Sequence, residues 1–139
     1  MIISKTPYRI SFFGGGTDYP EWLDKNKGAV LSTTIDKYIY LSLNMKPSLF
    51  HKKYIISYKR VEKRKKISEI IHPPVRECLK YFKIPSGCEL TYNGDLPARS
   101  GVGSSSSFTV GLLKCLYALK NIKVTKKELA KKAIYIERN

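Results

Sequence analysis

The chain has 139 residues, 42% of them hydrophobic, which is long enough for one globular domain with a real core and short for two. Lys and Arg number 26 against 11 Asp and Glu, a formal net charge of +15, and this favours anionic partners without choosing between nucleic acid, anionic lipid and phosphorylated small molecules. No stretch approaches the ~18 consecutive apolar residues of a membrane-spanning helix, and MIISKTPYRISFF has no apolar core leading to a small-residue cleavage site, so a soluble cytoplasmic protein with no membrane partner is expected.

Residues 2–13 are rich in β-formers with Pro7 among them, which predicts two short strands or one kinked edge strand ending at Gly14, Gly15 and Gly16. Pro20 is placed to open a short helix that Gly28 closes. AVLSTTIDKYIYLSLNM then reads as two strands broken near Asp36 and Lys37, and Tyr54 to Tyr58 as another. The basic run KRVEKRKK, residues 59–66, is expected to be a solvated strand end or loop. Pro73 and Pro74 stop a helix begun at Ser68 and start a new one that buries Val75, Cys78, Leu79 and Phe82. CELTYNG, residues 88–94, is a strand ending in a turn.

Phe108, Leu112, Cys115, Leu116 and Leu119 lie on one face of a helix predicted from about Ser104 to Lys120 and Asn121. Thr125 and Glu128 form the capping box of a last helix, with Leu129, Ala133 and Ile136 buried and Ala130 and Ala133 allowing close packing. Cys78, Cys88 and Cys115 form no CxxC pair and read as buried thiols. His51 and His72 are too isolated to build a metal site. Strands first and helices later imply an α+β sandwich, helices on one face of a mainly antiparallel or mixed sheet.

Four serines in a row, Ser104 to Ser107, suit a linker in composition. Their position does not, because they follow a strand and turn and lead directly into the apolar stripe begun by Phe108. A helix N-terminus there offers unpaired N–H groups and the positive end of a dipole, while Gly101 and Gly103 let a phosphate reach the backbone. No lysine follows Gly103 as a P-loop requires, Ser106 stands where a dinucleotide fingerprint needs its third glycine, and the GxSxG elbow is not formed.

DLPARSGVGSSSSFTVGLL resembles the second signature of the GHMP kinases, Pro-x-x-x-Gly-apolar-Gly-Ser-Ser followed by a helix; Pro97, Gly101, Val102, Gly103, Ser104 and Ser105 match, with Ser106 where alanine is common. PYRISFFGGGTDYPEW is similar to the first signature of the sugar-kinase branch, in particular the heptose 7-phosphate kinases and related fucokinase-type domains. The resemblance implies a ribosomal-protein-like two-layer sandwich, here the N-terminal ATP-binding domain over 1–139, incomplete at its C-terminus and without the family's second domain. It implies ATP held by Pro97, Ser100, Gly101, Val102, Gly103, Ser104, Ser105 and Ser106, and Mg2+ held by Ser105 and Glu137 with Ser104 as the neighbouring candidate. It also implies sugar held by Gly15, Gly16, Thr17 and Asp18, and Arg9 near the reacting groups. Read alone, Asp18 is an ordinary turn residue and Glu137 a solvated helix carboxylate.

The implied reaction is transfer of the ATP γ-phosphoryl group to a sugar hydroxyl, with the anomeric hydroxyl of a heptose 7-phosphate favoured as acceptor. The family's catalytic aspartate follows this glutamate in a glycine-bearing loop beyond Asn139, so weak or no turnover is expected of this chain by itself. Two other readings stay open: a basic nucleic-acid-binding module, disfavoured because the charge is dispersed and no RNA-binding motif appears, and a kinase-like domain without chemistry that binds ligand or partner. Self-association through apolar surface left open by truncation is a further expectation.

Overall fold

In a computed structural model describing residues 1–17, 20–46, 53–97 and 100–138, the β-forming N-terminus is a single edge strand, β1 (Ile2–Phe13). Pro7 sits where its missing N–H is tolerated, and the pairing of β1 with its neighbour slips register between Pro7 and Arg9. A short helix, α1 (Pro20–Leu23), leads to β2 (Leu31–Met45), which is continuous rather than broken near Asp36 and Lys37. Pro7 faces Tyr38 while Arg9 faces Thr34, so the extra residues of β2 are taken up as a bulge opposite Tyr8.

Next come β3 (Tyr54–Ser57), β4 (Val61–Arg64), a 3-10 turn (Ile67–Glu69), α2 (Pro73–Tyr81), β5 (Cys88–Gly94), α3 (Ser104–Leu119) and α4 (Lys126–Arg138). The basic run thus folds into a hairpin arm rather than a loop. The five strands form one sheet in the order β1-β2-β5-β3-β4. All neighbours are antiparallel except β3 and β5, making the sheet mixed, as the expected sandwich allows.

Alternation places Ile39, Leu41 and Leu43 of β2, Cys88 and Leu90 of β5, and Tyr54 and Ile56 of β3 in one core with Val75, Cys78, Leu79, Leu112, Leu113 and Leu116 of the helices. The other side of the sheet is open, with Ile3, Leu31 and Val61 exposed. The three cysteines are buried free thiols, and burial pushes Cys78 and Cys88 up to about 12, so they pack rather than react. Among the described residues no helix is long and apolar enough to cross a membrane.

α3 crosses β1 and β2 at close range because Gly111 has no side chain: a Cβ there would lie 2.8 Å from Thr6 Oγ1 and 3.2 Å from Leu41 Cδ1. α4 packs on α3, with Ala133 and Ile136 buried and Leu129 half-buried; Ala130, expected in that contact, is exposed. Thr125 and Glu128 form the capping box, the Glu128 N–H donating to Thr125 Oγ1 at 3.2 Å and the Thr125 N–H to Glu128 Oε2 at 2.9 Å.

Candidate active site

Three consecutive residues of β1 grip the segment between β5 and α3 and the first turn of that helix. The Tyr8 hydroxyl donates to the Leu96 carbonyl at 3.0 Å, the Arg9 N–H donates to the Val102 carbonyl at 3.1 Å, and the Ser107 hydroxyl donates to the Pro7 carbonyl at 2.8 Å. Gly94 is needed at the exit of β5, since a Cβ would meet the Tyr8 and Tyr92 hydroxyls at 2.6 Å. The turn itself runs through Gly101 at φ +75° and Gly103 at φ +68°, a left-handed backbone that side chains rarely adopt.

Gly103 is the N-cap residue of α3, and among the described residues no side chain caps that end. The first intrahelical bond runs from the Ser107 N–H to the Gly103 carbonyl at 3.0 Å, so the amides of Ser104, Ser105 and Ser106 precede the helical ladder. The Arg9 guanidinium lies beside this turn, its Nε 3.5 Å from where a Gly103 Cβ would sit, and it also donates to the Ser11 hydroxyl. Positive charge from a side chain and from a helix dipole therefore converge on this turn. Pro97 and Ser100, in the segment that leads into the turn, are exposed.

Glu137, near the end of α4, accepts a hydrogen bond from the Ser106 hydroxyl at 3.0 Å. The serine facing it is thus Ser106, one residue beyond the Ser105 of the sequence expectation, while Ser104 and Ser105 line an adjoining cleft of about 450 Å3. That cleft is walled by Tyr58, Lys59, His72, Pro74, Tyr92 and Phe108. The His72 ring lies 4.8 Å from Phe108 and meets Tyr58 edge-on at 5.2 Å, with Tyr92 5.8 Å from Phe108. Among the described residues His72 Nδ1 is buried without a hydrogen-bond partner, and burial pushes the imidazole below its ordinary value, favouring the neutral ring.

None of this wall was singled out as a site from the sequence. Its residues come from four separate stretches, and no local pattern in the sequence groups them. The glycine loop after β1 forms a turn in which the Thr17 N–H and hydroxyl both donate to the Gly14 carbonyl, at 3.0 and 2.8 Å. Gly15, Gly16 and Thr17 lie in that turn, whereas Asp18 and His51 fall outside the described residues. Among the described residues no group of three or more His, Cys, Asp or Glu side chains is gathered to hold a metal.

A profile for the GHMP kinases N terminal domain matches residues 70–139, just over half of the chain, spanning α3 with its glycine turn and α4 with Glu137. The chain belongs to the GHMP kinases. Among curated proteins, this GHMP-kinase chain is 32% identical over 146 residues to D-glycero-alpha-D-manno-heptose 7-phosphate kinase of Campylobacter jejuni, covering 99% of this chain and 43% of that protein. It is 26% identical over 131 residues to the galactokinase of Thermotoga maritima, covering 91% of this chain and 36% of the relative. The fold matches a D-glycero-D-manno-heptose 1-phosphate kinase from Bacteroides thetaiotaomicron with a TM-score of 0.82 at 24% identity, covering 100% of this chain and 48% of that one. The GHMP-kinase chain therefore spans less than half the length of the curated relatives it matches.

One carboxylate stiffens the cleft wall of this GHMP-kinase domain. Glu62 on β4 is 3% exposed, accepts hydrogen bonds from the Tyr58 hydroxyl and from the Ile71 N–H at 2.9 Å, and lies 3.8 and 3.7 Å from the Arg60 and Arg64 guanidiniums. Burial acts to raise its pKa, but these donors and cations outweigh it and hold the carboxyl below its ordinary value. The stabilisation is present above the unfolded carboxyl value of about 4.3 and is lost as pH falls through the lower folded value. Urea midpoints at neutral pH and near pH 3 should show the unsubstituted chain losing more stability in acid than Glu62→Gln; a constant gap between the two contradicts this.

Proposed function

We propose that this chain binds ATP at the N-terminus of α3 and serves in transfer of its γ-phosphoryl group to a sugar hydroxyl, the anomeric hydroxyl of a heptose 7-phosphate being the favoured acceptor. The observation that carries the reading is the 3.0 Å bond between Ser106 and Glu137. It brings a carboxylate and a serine hydroxyl to the mouth of a glycine turn whose backbone amides and arginine favour an anion. Such a set suits a nucleotide with a divalent cation better than a bare phosphate, which the carboxylate would repel.

In this reading Gly101, Val102 and Gly103 bring backbone against the phosphates, Ser104, Ser105 and Ser106 donate to phosphate oxygens, and Pro97 and Ser100 shape the entry. Arg9 offsets the charge that develops during transfer. The aromatic cleft beside Ser104 and Ser105 takes the base. Gly15, Gly16, Thr17 and Asp18 take the sugar. The hydroxyls of Ser105 and Ser106 and the Glu137 carboxylate are hard oxygen donors that fit Mg2+, which binds proteins through one or two carboxylates plus substrate phosphates. When bound, Mg2+ would neutralise phosphate charge.

The 32% identity to a heptose 7-phosphate kinase supports the acceptor class. The 139 residues act here as an ATP-binding domain, and efficient transfer draws on parts that the longer relatives possess and this chain does not span.

Calorimetric titration of the chain with ATP tests the reading. With Mg2+ present, Glu137→Gln is expected to weaken binding about tenfold, as loss of a charged ligand would, and with EDTA that loss should vanish or reverse, because the carboxylate then only repels the phosphates. Equal affinities in both conditions sink the metal-nucleotide assignment. Titrating heptose 7-phosphate and galactose against the ATP-loaded chain then separates the two acceptor classes.

A further inference from the structure

We propose that Glu62 is a positioning residue for the nucleotide base: without touching the ligand, it sets the aromatic wall of the cleft by fixing Tyr58 and the backbone that carries His72. This role rests on the nucleotide reading of the cleft given above.

The strand pattern of β4 is inverted. Val61 is exposed and Glu62 points inward, opposite Ile56 of β3, at a position where an apolar side chain would bury more area. A carboxylate there is tolerated only because its oxygens are taken up. Oε1 accepts from the Tyr58 hydroxyl, and Oε2 accepts from the Ile71 N–H at 2.9 Å. Arg60 Nε donates to the same Tyr58 oxygen at 2.7 Å, so the phenol is held by a donor on one side and an acceptor on the other.

The two anchored groups belong to the cleft. Tyr58 lines it directly, and Ile71 immediately precedes His72, whose ring is packed between Tyr58 at 5.2 Å and Phe108 at 4.8 Å. One carboxylate therefore ties together the end of β3 and the start of α2, two segments that would otherwise place their rings independently. A stacking surface held in advance binds a flat base with less loss of side-chain freedom than one that must assemble on contact. The glycine turn and the Ser106–Glu137 pair lie outside this network, so phosphate binding should be separable from it.

The separation supplies the test. Titrations of the full chain with ATP, adenosine and inorganic tripolyphosphate are compared for the unsubstituted protein, Glu62→Gln, Tyr58→Phe and the double variant. Glu62→Gln is expected to weaken ATP and adenosine about tenfold while leaving tripolyphosphate within about twofold, the loss expected when a charged hydrogen-bond acceptor is removed. Tyr58→Phe keeps the ring and removes only its hydroxyl, and its effect should not add to that of Glu62→Gln. Should Glu62→Gln fail to fold, Tyr58→Phe carries the comparison alone, with a threefold or greater loss for adenosine and none for tripolyphosphate expected.

Equal losses for all three ligands overturn the role, because general destabilisation does not distinguish base from phosphate. Unchanged affinities overturn it while leaving the nucleotide reading intact. Failure of the unsubstituted chain to bind either ATP or adenosine overturns the nucleotide reading and this role with it.

Discussion

Gly103→Val is expected to weaken ATP binding about 100-fold, measured by the same calorimetric titration. Gly103 sits at φ +68°, where a β-branched residue is a steric outlier costing about 1–2 kcal/mol. Its Cβ would stand 3.5 Å from Arg9 Nε and 3.6 Å from the Arg9 carbonyl, so the two methyl groups beyond it must displace either the guanidinium or the turn. Both displacements act on the proposed phosphate site: one moves its positive side chain and the other its backbone amides. Together they account for about 2.7 kcal/mol, the equivalent of 100-fold.

Gly101 supplies the comparison. It has the same left-handed backbone at φ +75°, but among the described residues nothing lies within 4 Å of its missing Cβ. Asparagine tolerates that conformation, so Gly101→Asn should bind ATP within about threefold of the unsubstituted chain. If Gly103→Val also bound ATP normally, the turn would not be where the phosphates lie.

The largest effect on stability is expected from Leu112→Ala, a loss of about 3 kcal/mol in the free energy of unfolding measured by urea denaturation. Leu112 is 0% exposed, and its truncation removes apolar contact and leaves a cavity that a sheet and three helices cannot readily collapse. Such a loss is a large share of the ~5–15 kcal/mol that typically holds a domain together. Ile134 on α4 is 51% exposed, and Ile134→Ala should change stability by less than about 0.5 kcal/mol, since alanine also favours the helix. Similar losses for both variants would mean that α3 is not the centre of the core.

The charge of the chain reads differently once the strands are in place. The run 59–66 reads in sequence as a solvated strand end or loop, yet Arg60 and Arg64 flank the buried Glu62, and Lys59 lines the cleft. Part of the positive excess thus pairs with a buried carboxylate and lies beside the proposed ligand. The hydrophobic pattern could not announce this, because a strand whose exposed residue is valine and whose buried residue is glutamate defeats a rule based on transfer free energy. What makes that arrangement stable is the set of partners brought to Glu62 from the turn between β3 and β4, from β4 itself and from the stretch before α2.

The break expected in β2 failed for a related reason. Asp36 and Lys37 are poor strand formers, but the partner strand shifts register at Pro7 and Arg9, and the bulge absorbs them without ending the ladder. Local propensity describes one strand at a time, whereas continuity is decided by the pair. Ala130 shows the same limit on a helix: its small side chain permits a close contact, but the rotation of α4 against α3 gave that contact to Ala133.

The sequence by itself determined the features that depend on near neighbours along the chain. These are the start of α3 at Ser104, the capping box of Thr125 and Glu128, the proline-initiated α2, the glycines of the turn before α3 and the resemblance those letters carry. Each follows from backbone angles, hydrogen bonds within one turn, or a 3.6-residue period, all of which act over a few residues. The tertiary structure alone decided that Pro7, Tyr8 and Arg9 hold the loop leading into α3 and that Ser106 faces Glu137. It also decided that Tyr58, His72, Tyr92 and Phe108 share one cleft. Those contacts depend on β5 inserting between β2 and β3, and a two-residue alternation says which face a side chain takes but not which strand lies beside it.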